Sequence, residues 1–388
     1  MKQTFTIPLF ALAIVLFFNA CKSDVKKEQL PTNSKSQQSF LKVAYADGFS
    51  IDINGNYPII KVNKPWPGAE QAFTYAVIPD SILPTITFPA DAYDAVITTP
   101  IKKLVVTSTT HIPALESLGE LDKLVGFPDT KYISSMPARE RIKKGLIKEL
   151  GQNEKLNTEM TIALQPDVII GFSIDNQNST YSTLEQANIP VVYNGDWAET
   201  HPLGKAEWLK FFGVLLGKEK QADSIFTQIA KDYNATKKLA QNKTNNPTVI
   251  SGALYKDVWY MPTGESWAAK FIADAGGNYL YKDTKGNGSL ALSVEAVLQK
   301  GTQADYWIGP AQFTAYQEMN AANPHYQQFK AFTDKKVYTF SNTKGLTGGL
   351  LYYELAPQRP DLVLKDLVHW LHPDLLPNYS PYFFTPLR

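Results

Sequence analysis

Ser108 and His111 stand three residues apart in the run TSTTH, a nucleophile and a base whose pairing would support acyl transfer. Tyr352 and Tyr353 are phenols of the kind that bind ferric ions, but neighbouring side chains diverge on a strand, so both meet one ion only where the chain bends. A complexed metal therefore suits them better than a bare one. Arg359 carries a planar guanidinium able to clamp a carboxylate or catecholate with two parallel hydrogen bonds, or else stands as a surface charge at a helix end. Trp259, Tyr260 and Trp267 form a dense aromatic group beside small and polar residues, suited to covering a large flat ligand, although Trp267 fits a core position equally well.

The five histidines, at 111, 201, 325, 369 and 372, are scattered. His111 has a choice between a cleft contact and a capping role. His369 and His372 near the end of the last helix could make a two-ligand metal site, but helix-end charges explain them more simply. Cys21 is the one cysteine, which rules out an internal disulfide and any metal site built from several thiolates. G-x-S-x-G, H-E-x-x-H and G-x-G-x-x-G are all missing, and GVLLGK lacks both the spacing of a phosphate loop and the Ser/Thr after Lys218. The expectation is a protein without cofactor, resident metal or catalysis; the enzymatic alternative is an exported hydrolase using Ser108 and His111.

One arrangement occurs twice. Asn157-Thr158-Glu159 opens a short helical stretch that leads to Asp167 and the strand DVIIGF; Ser293-Val294-Glu295 opens another that leads to Asp305 and DYWIG. From Glu to Asp the spacing is eight residues in one and ten in the other, and Ile162 and Leu298 both follow their Glu by three. An acid in the first turn is favoured by the helix dipole alone. Its recurrence points further, to two similar α/β lobes.

The surrounding pattern supports that reading. Residues 40–100 alternate apolar and polar residues around Asn54-Gly55, a hairpin signal, and predict a β-rich segment added to the first lobe. From Leu104 short β-branched runs alternate with helical segments, which implies mostly parallel sheets covered on both faces. After the helix stop at Gly217, the apolar residues Ala222, Ile225, Phe226, Ile229, Tyr233 and Leu239 recur at helical intervals, predicting a helix from Glu219 to about Gln241. At 1.5 Å per residue it reaches roughly 35 Å, enough to join two lobes. TVISGALY then starts a second alternation, which ends in a helix over about Asp361 to Leu371.

Lys2, the apolar run Ile7 to Phe18 and the small-residue approach to Cys21 read as an export signal over residues 1–20, too short for an ordinary membrane span. FFNAC resembles a lipobox, which makes Cys21 the expected acylation site; an ordinary signal peptide that leaves a free thiol is the alternative. Residues 21–39 are too polar to bury a core and predict a tether. Removal of residues 1–20 takes one lysine and no acid, leaving 37 basic and 37 acidic residues, and nothing in that balance suggests a nucleic-acid partner.

The TSTTH loop, LQPDVIIG, NIPVV, LLGKE, FIADAGGN and the Ser293-Val294-Glu295 segment, in this order over roughly residues 100–375, resemble class III substrate-binding proteins of ABC importers. That family captures ferric siderophores, haem and cobalamin. The resemblance implies two Rossmann-like α/β lobes, at 40–218 and 243–388, joined by one bridging helix at 219–242, with the ligand cleft between them. It implies a monomer whose partners are an ABC permease dimer with its ATPase, a metal chelate, and the membrane through a lipid anchor. Glu159 and Glu295 match the two glutamates with which the family meets permease arginines.

Ligands of open α/β lobes sit beyond the carboxyl ends of strands. The expected contacts are Ser108, Thr109, Thr110, His111, Phe172, Trp197, Tyr255, Trp259, Tyr260 and Trp267, and the resemblance adds Tyr353 and Arg359, which lie where that family often brings polar side chains to the cleft. A stiff joining helix would restrict closure to small lobe rotations. A surface lipoprotein that hands a metal complex to an outer-membrane receptor remains a further alternative.

Overall fold

The computed structural model describes residues 41–153, 155–175 and 178–388. The export signal, Cys21 and the tether lie outside the described residues.

The chain first builds a four-stranded sheet from β1 (Phe49–Asn54), β2 (Tyr57–Val62), β3 (Phe73–Pro79) and β4 (Ala95–Thr99), in that order and antiparallel except between β3 and β4. Asn54 pairs with Tyr57, and the positive φ of 61° falls on Gly55, first of the two loop residues, where glycine adopts it without steric cost. The segment is more than an added hairpin. Phe49, Ile60, Val62, Tyr75, Val77 and Ile97 share one core with Leu104, Val106, Phe211 and Leu215. The intervening Ala76 and Ile78 face the other way, among Ile59, Phe88 and Val96.

In the first α/β lobe, β5 (Leu104–Val106), β6 (Leu124–Phe127) and β7 (Lys148–Glu149) are followed by a small hairpin, β8 (Gly151–Gln152) and β9 (Lys155–Leu156), then β10 (Val168–Gly171) and β11 (Val191–Tyr193). The main sheet runs β11-β10-β5-β6-β7, parallel throughout. Its strands are apolar, apart from the exposed edge strand β7, because both faces are covered. Leu104, Val106, Val168, Ile170 and Val192 point into the core shared with the first sheet, whereas Val105, Ile169 and Val191 join a separate cluster with Tyr181 and Leu184.

The second lobe has the sheet β15-β12-β17-β18-β19, built from β12 (Thr248–Ser251), β15 (Asn278–Tyr279), β17 (Tyr306–Ile308), β18 (Val337–Thr339) and an antiparallel β19 (Thr385–Pro386). TVISGALY is not one strand. It breaks at Gly252, whose φ is 77° and whose missing Cβ would lie 1.9 Å from the Tyr260 carbonyl oxygen, so only glycine fits. The chain leaves there into β13 (Ala253–Tyr255), which pairs with β14 (Val258–Pro262) and β16 (Ser289–Leu292) in an antiparallel sheet that the sequence pattern did not reveal.

The joining helix spans Glu219–Gln241. Its Ala222 belongs to the first lobe's core, while Phe226, Ile229, Ala230, Tyr233 and Ala240 belong to the second's, so one rigid element is packed into both. The repeated acids separate into two jobs. Asp167 accepts from the Lys102 and Lys103 amides ahead of β5, and Asp305 from the Thr248 amide at the start of β12, so each aspartate ties its own strand to the neighbouring one. Glu159 and Glu295 stay exposed, in the first turns of helices capped by Asn157 and Ser293.

Candidate functional site

In each lobe the chain order reverses across one pair of adjacent strands, β5 and β10 in the first and β12 and β17 in the second, which opens a crevice at their carboxyl ends. Cavities lie there. One of about 340 Å³ is lined by Thr107–Thr109 after β5, Phe127–Asp129 and Tyr132 after β6, Asn153, Phe172 after β10, and Gly349, Leu350 and Tyr353 from the second lobe. A second, of about 470 Å³, is walled by Tyr260, Trp267, Gly309, Phe340 and Tyr353 among others. A third, of about 360 Å³, is lined by Lys64, Trp66–Ala69 and Glu199 among others and shares Asn287 with the second, as the first and second share Tyr353; the three together are termed the groove.

The first wall is fixed by a polar network. The Thr107 hydroxyl accepts from the Phe172 amide at 2.8 Å and bonds Tyr181 Oη at 3.0 Å; Tyr181 Oη in turn reaches the Phe172 carbonyl at 3.0 Å. Glu149 holds the next loop by accepting from the Asp129 and Thr130 amides, each at 2.8 Å, and that loop presents Tyr132, which is 55% exposed. On the opposite wall Tyr352 stacks on Phe340 at 4.4 Å and packs beside Trp267 at 5.7 Å.

A strap from the second lobe crosses to the first. Gly345 and Gly349 lie so close to Ser134 and Tyr132 that a Cβ on either would meet atoms at 2.6 Å or less, and the Thr347 hydroxyl donates to the Lys131 carbonyl at 2.6 Å. It ends in Glu354, almost wholly buried, whose carboxylate accepts from the Ser134 amide at 2.6 Å and the Ser135 amide at 2.8 Å. Burial, with Glu116 nearby, pushes the Glu354 carboxyl up to about 7 against the pull of those two hydrogen bonds.

Ser108, Thr109, Phe172, Tyr260, Trp267 and Tyr353 line the groove, and Tyr353 is common to two of its cavities. Thr110 holds the loop by sharing a hydrogen bond with the Ser108 hydroxyl, and Trp197 packs against Phe172 at 5.4 Å.

Four expected contacts are corrected. His111 is fully buried against Phe212, its pKa pushed down to about 4 by that burial, and its imidazole makes no hydrogen bond with the Ser108 hydroxyl, which is taken by Thr110, so the hydrolase reading has no nucleophile–base pair in this structure. Trp259 is also fully buried: strand alternation turns it inward with Met261, stacked on Trp307 at 5.2 Å, and turns Tyr260 outward. Tyr255 is exposed at the β13–β14 turn and is not among the residues that line the three cavities. Arg359 lies behind the helix Leu351–Leu355, in a groove against the joining helix, with its Nε and a terminal nitrogen on the Asp361 carboxylate at 2.9 and 2.8 Å.

Asp129, Tyr132 and Phe340 were missed, although each stands at or just past the carboxyl end of a strand, where the rule used for the other walls applies. Among the described residues no three His, Cys, Asp or Glu side chains gather to hold a metal ion, and no helix is long and apolar enough to cross a membrane.

The model of a family described as periplasmic binding protein matches residues 104–343. An uncharacterised lipoprotein of Methanocaldococcus jannaschii is 27% identical over 301 residues, covering 74% of this chain and 69% of its own. A periplasmic haem-binding protein of Pseudomonas aeruginosa superposes with a TM-score of 0.55 at 18% identity, over 74% of this chain and 98% of its own. A Helicobacter pylori protein solved as a nickel–histidine complex gives 0.54 at 16% identity, over 73% and 87%.

Proposed function

Because the chain belongs to the periplasmic binding protein family and has the helix-joined build of class III substrate-binding proteins of ABC importers, we propose that it captures a metal chelate in the interlobe groove and delivers it to a permease. The observation that carries this is the groove itself, whose walls come from the strand ends of both lobes and which shares the Tyr353 ring between two of its cavities. Haem and a nickel–histidine chelate in proteins of the same fold support the ligand class. An iron-siderophore or corrinoid is of the same kind.

Ser108, Thr109, Phe172, Tyr260, Trp267 and Tyr353 are the proposed contacts, with Thr110 and Trp197 behind them. Glu159 and Glu295, one exposed carboxylate per lobe, are proposed to meet permease arginines, setting orientation and approach rate more than affinity. Acylation of Cys21, with residues 21–39 as a tether, would anchor the body at a membrane surface. The lipoprotein naming of a relative supports this placement. Lobe boundaries at 40–218 and 243–388 belong to the same proposal.

Native mass spectrometry with absorbance spectra, after mixing the purified protein with siderophores, haem and corrinoids, tests the reading. One saturable ligand and no product is the expected outcome; turnover of an ester or amide that Ser108→Ala removes would overturn it.

A further inference from the structure

The charges along the groove are distributed unevenly. Of its lining residues Asp47, Glu199 and Asp129 are acids, and Lys64 is the one base among the described residues. Each acid is already answered. Asp47 lies 3.8 Å from Lys64, Asp129 is 3.1 Å from Lys131, and Glu199 accepts from the Gly48 amide at 2.8 Å and the Trp208 indole at 3.1 Å.

Two further cations near the walls are engaged elsewhere. Arg359 is held by Asp361 behind the strap helix. Lys205 Nζ lies 5.1 Å from the Trp267 ring centroid, but it is buried and donates to the Asp196 and Trp197 carbonyls at 3.0 and 2.9 Å. What remains free at the walls is aromatic or neutral. Tyr132 and Tyr353 are each 55% exposed, one from each lobe, around the same cavity, with Lys131, held by Asp129, 4.9 Å from the Tyr132 ring centroid.

We infer that the groove selects metal chelates of zero or positive net charge that offer a broad apolar face, and rejects polyanionic ones. This rests on the chelate reading above. A polyanion taken between closing lobes would lose its hydration with only Lys64, already beside Asp47, to replace it, and an ion desolvated without enough partners costs far more than ring contacts return. A neutral or monocationic complex loses little, stacks on tyrosine faces, and, if cationic, is attracted by ring quadrupoles.

The test is titration of the full chain with four probes: neutral cyanocobalamin, a monocationic ferric tris-hydroxamate, haemin with its two propionates, and a trianionic ferric tris-catecholate. We expect one or both of the first pair to bind at least about 100-fold more tightly than either anion, equivalent to about 2.7 kcal/mol. The affinity of a neutral ligand should also hold between low and high salt. Anions binding as tightly as the other two, with affinity falling as salt rises, would overturn the charge selection and leave the chelate reading standing. Failure of all four to bind or to raise the melting temperature would count against both.

Discussion

Glu354 fastens the strap, and replacing it with glutamine should remove a pH dependence that the geometry requires. Its carboxyl is 3% exposed, bonded to two amides of the other lobe, and next to Glu116, which itself accepts from the Ser135 hydroxyl. Burial raises the Glu116 pKa too, so two carboxyls face each other across the latch with Ser134 and Ser135 between them. The Glu354 pKa rises from 4.5 to about 7, so the folded site holds its proton more tightly than the unfolded chain does. The stability this supplies is complete below about pH 4.5 and is lost as pH climbs through 7. At 1.36 kcal/mol per pH unit the total is about 3 kcal/mol. Urea denaturation of wild type and Glu354→Gln between pH 4.5 and 8 isolates it, because the other titrating groups are common to both. The wild type's advantage over the variant should shrink by about 3 kcal/mol across that range, most steeply between 4.5 and 7. A difference that stays flat, or that grows with pH, would refute the buried-latch reasoning.

Trp259→Ala should cost about 3–5 kcal/mol of stability by opening a cavity in the second lobe's core, with ligand affinity unchanged in the folded protein. Tyr353→Ala should do the reverse, weakening binding by about tenfold for a lost stacking face at little cost in melting temperature. Arg359→Ala should leave affinity within twofold of wild type while denaturation shows about 2–3 kcal/mol lost, because Asp361 stays buried without its partner. Reversing both docking acids, Glu159→Arg with Glu295→Arg, should abolish transport in an uptake assay without altering ligand affinity. Normal uptake by that double variant would remove the docking role.

The sequence revealed the elements whose periodicity has one dominant cause. β5 and β10 are apolar at every position because both of their faces are covered, and the joining helix repeats its apolar residues at helical intervals because it packs into two cores. The duplicated Glu and Asp were visible as a pattern, but their division of labour was not: Asp167 and Asp305 bond amides 64 and 57 residues away, contacts that local spacing does not encode. Trp259 and Tyr260 show the same limit. Alternation in a strand guarantees that one of two neighbours is buried, but which one depends on the register of β14 between β13 and β16, and that antiparallel sheet was not foreseen. Arg359 was misplaced for a related reason. Tyr353 lies within the helix Leu351–Leu355 and Arg359 past its end, at the start of the next helix, so residues six apart in sequence open onto different grooves.

A crystal structure of the protein with a bound chelate is the most direct measurement. The ligand should lie between the Tyr132 and Trp267 walls, in contact with Tyr353 and excluding water from the groove. A ligand seated instead beside Arg359 and the joining helix, or on one lobe alone, would contradict the account.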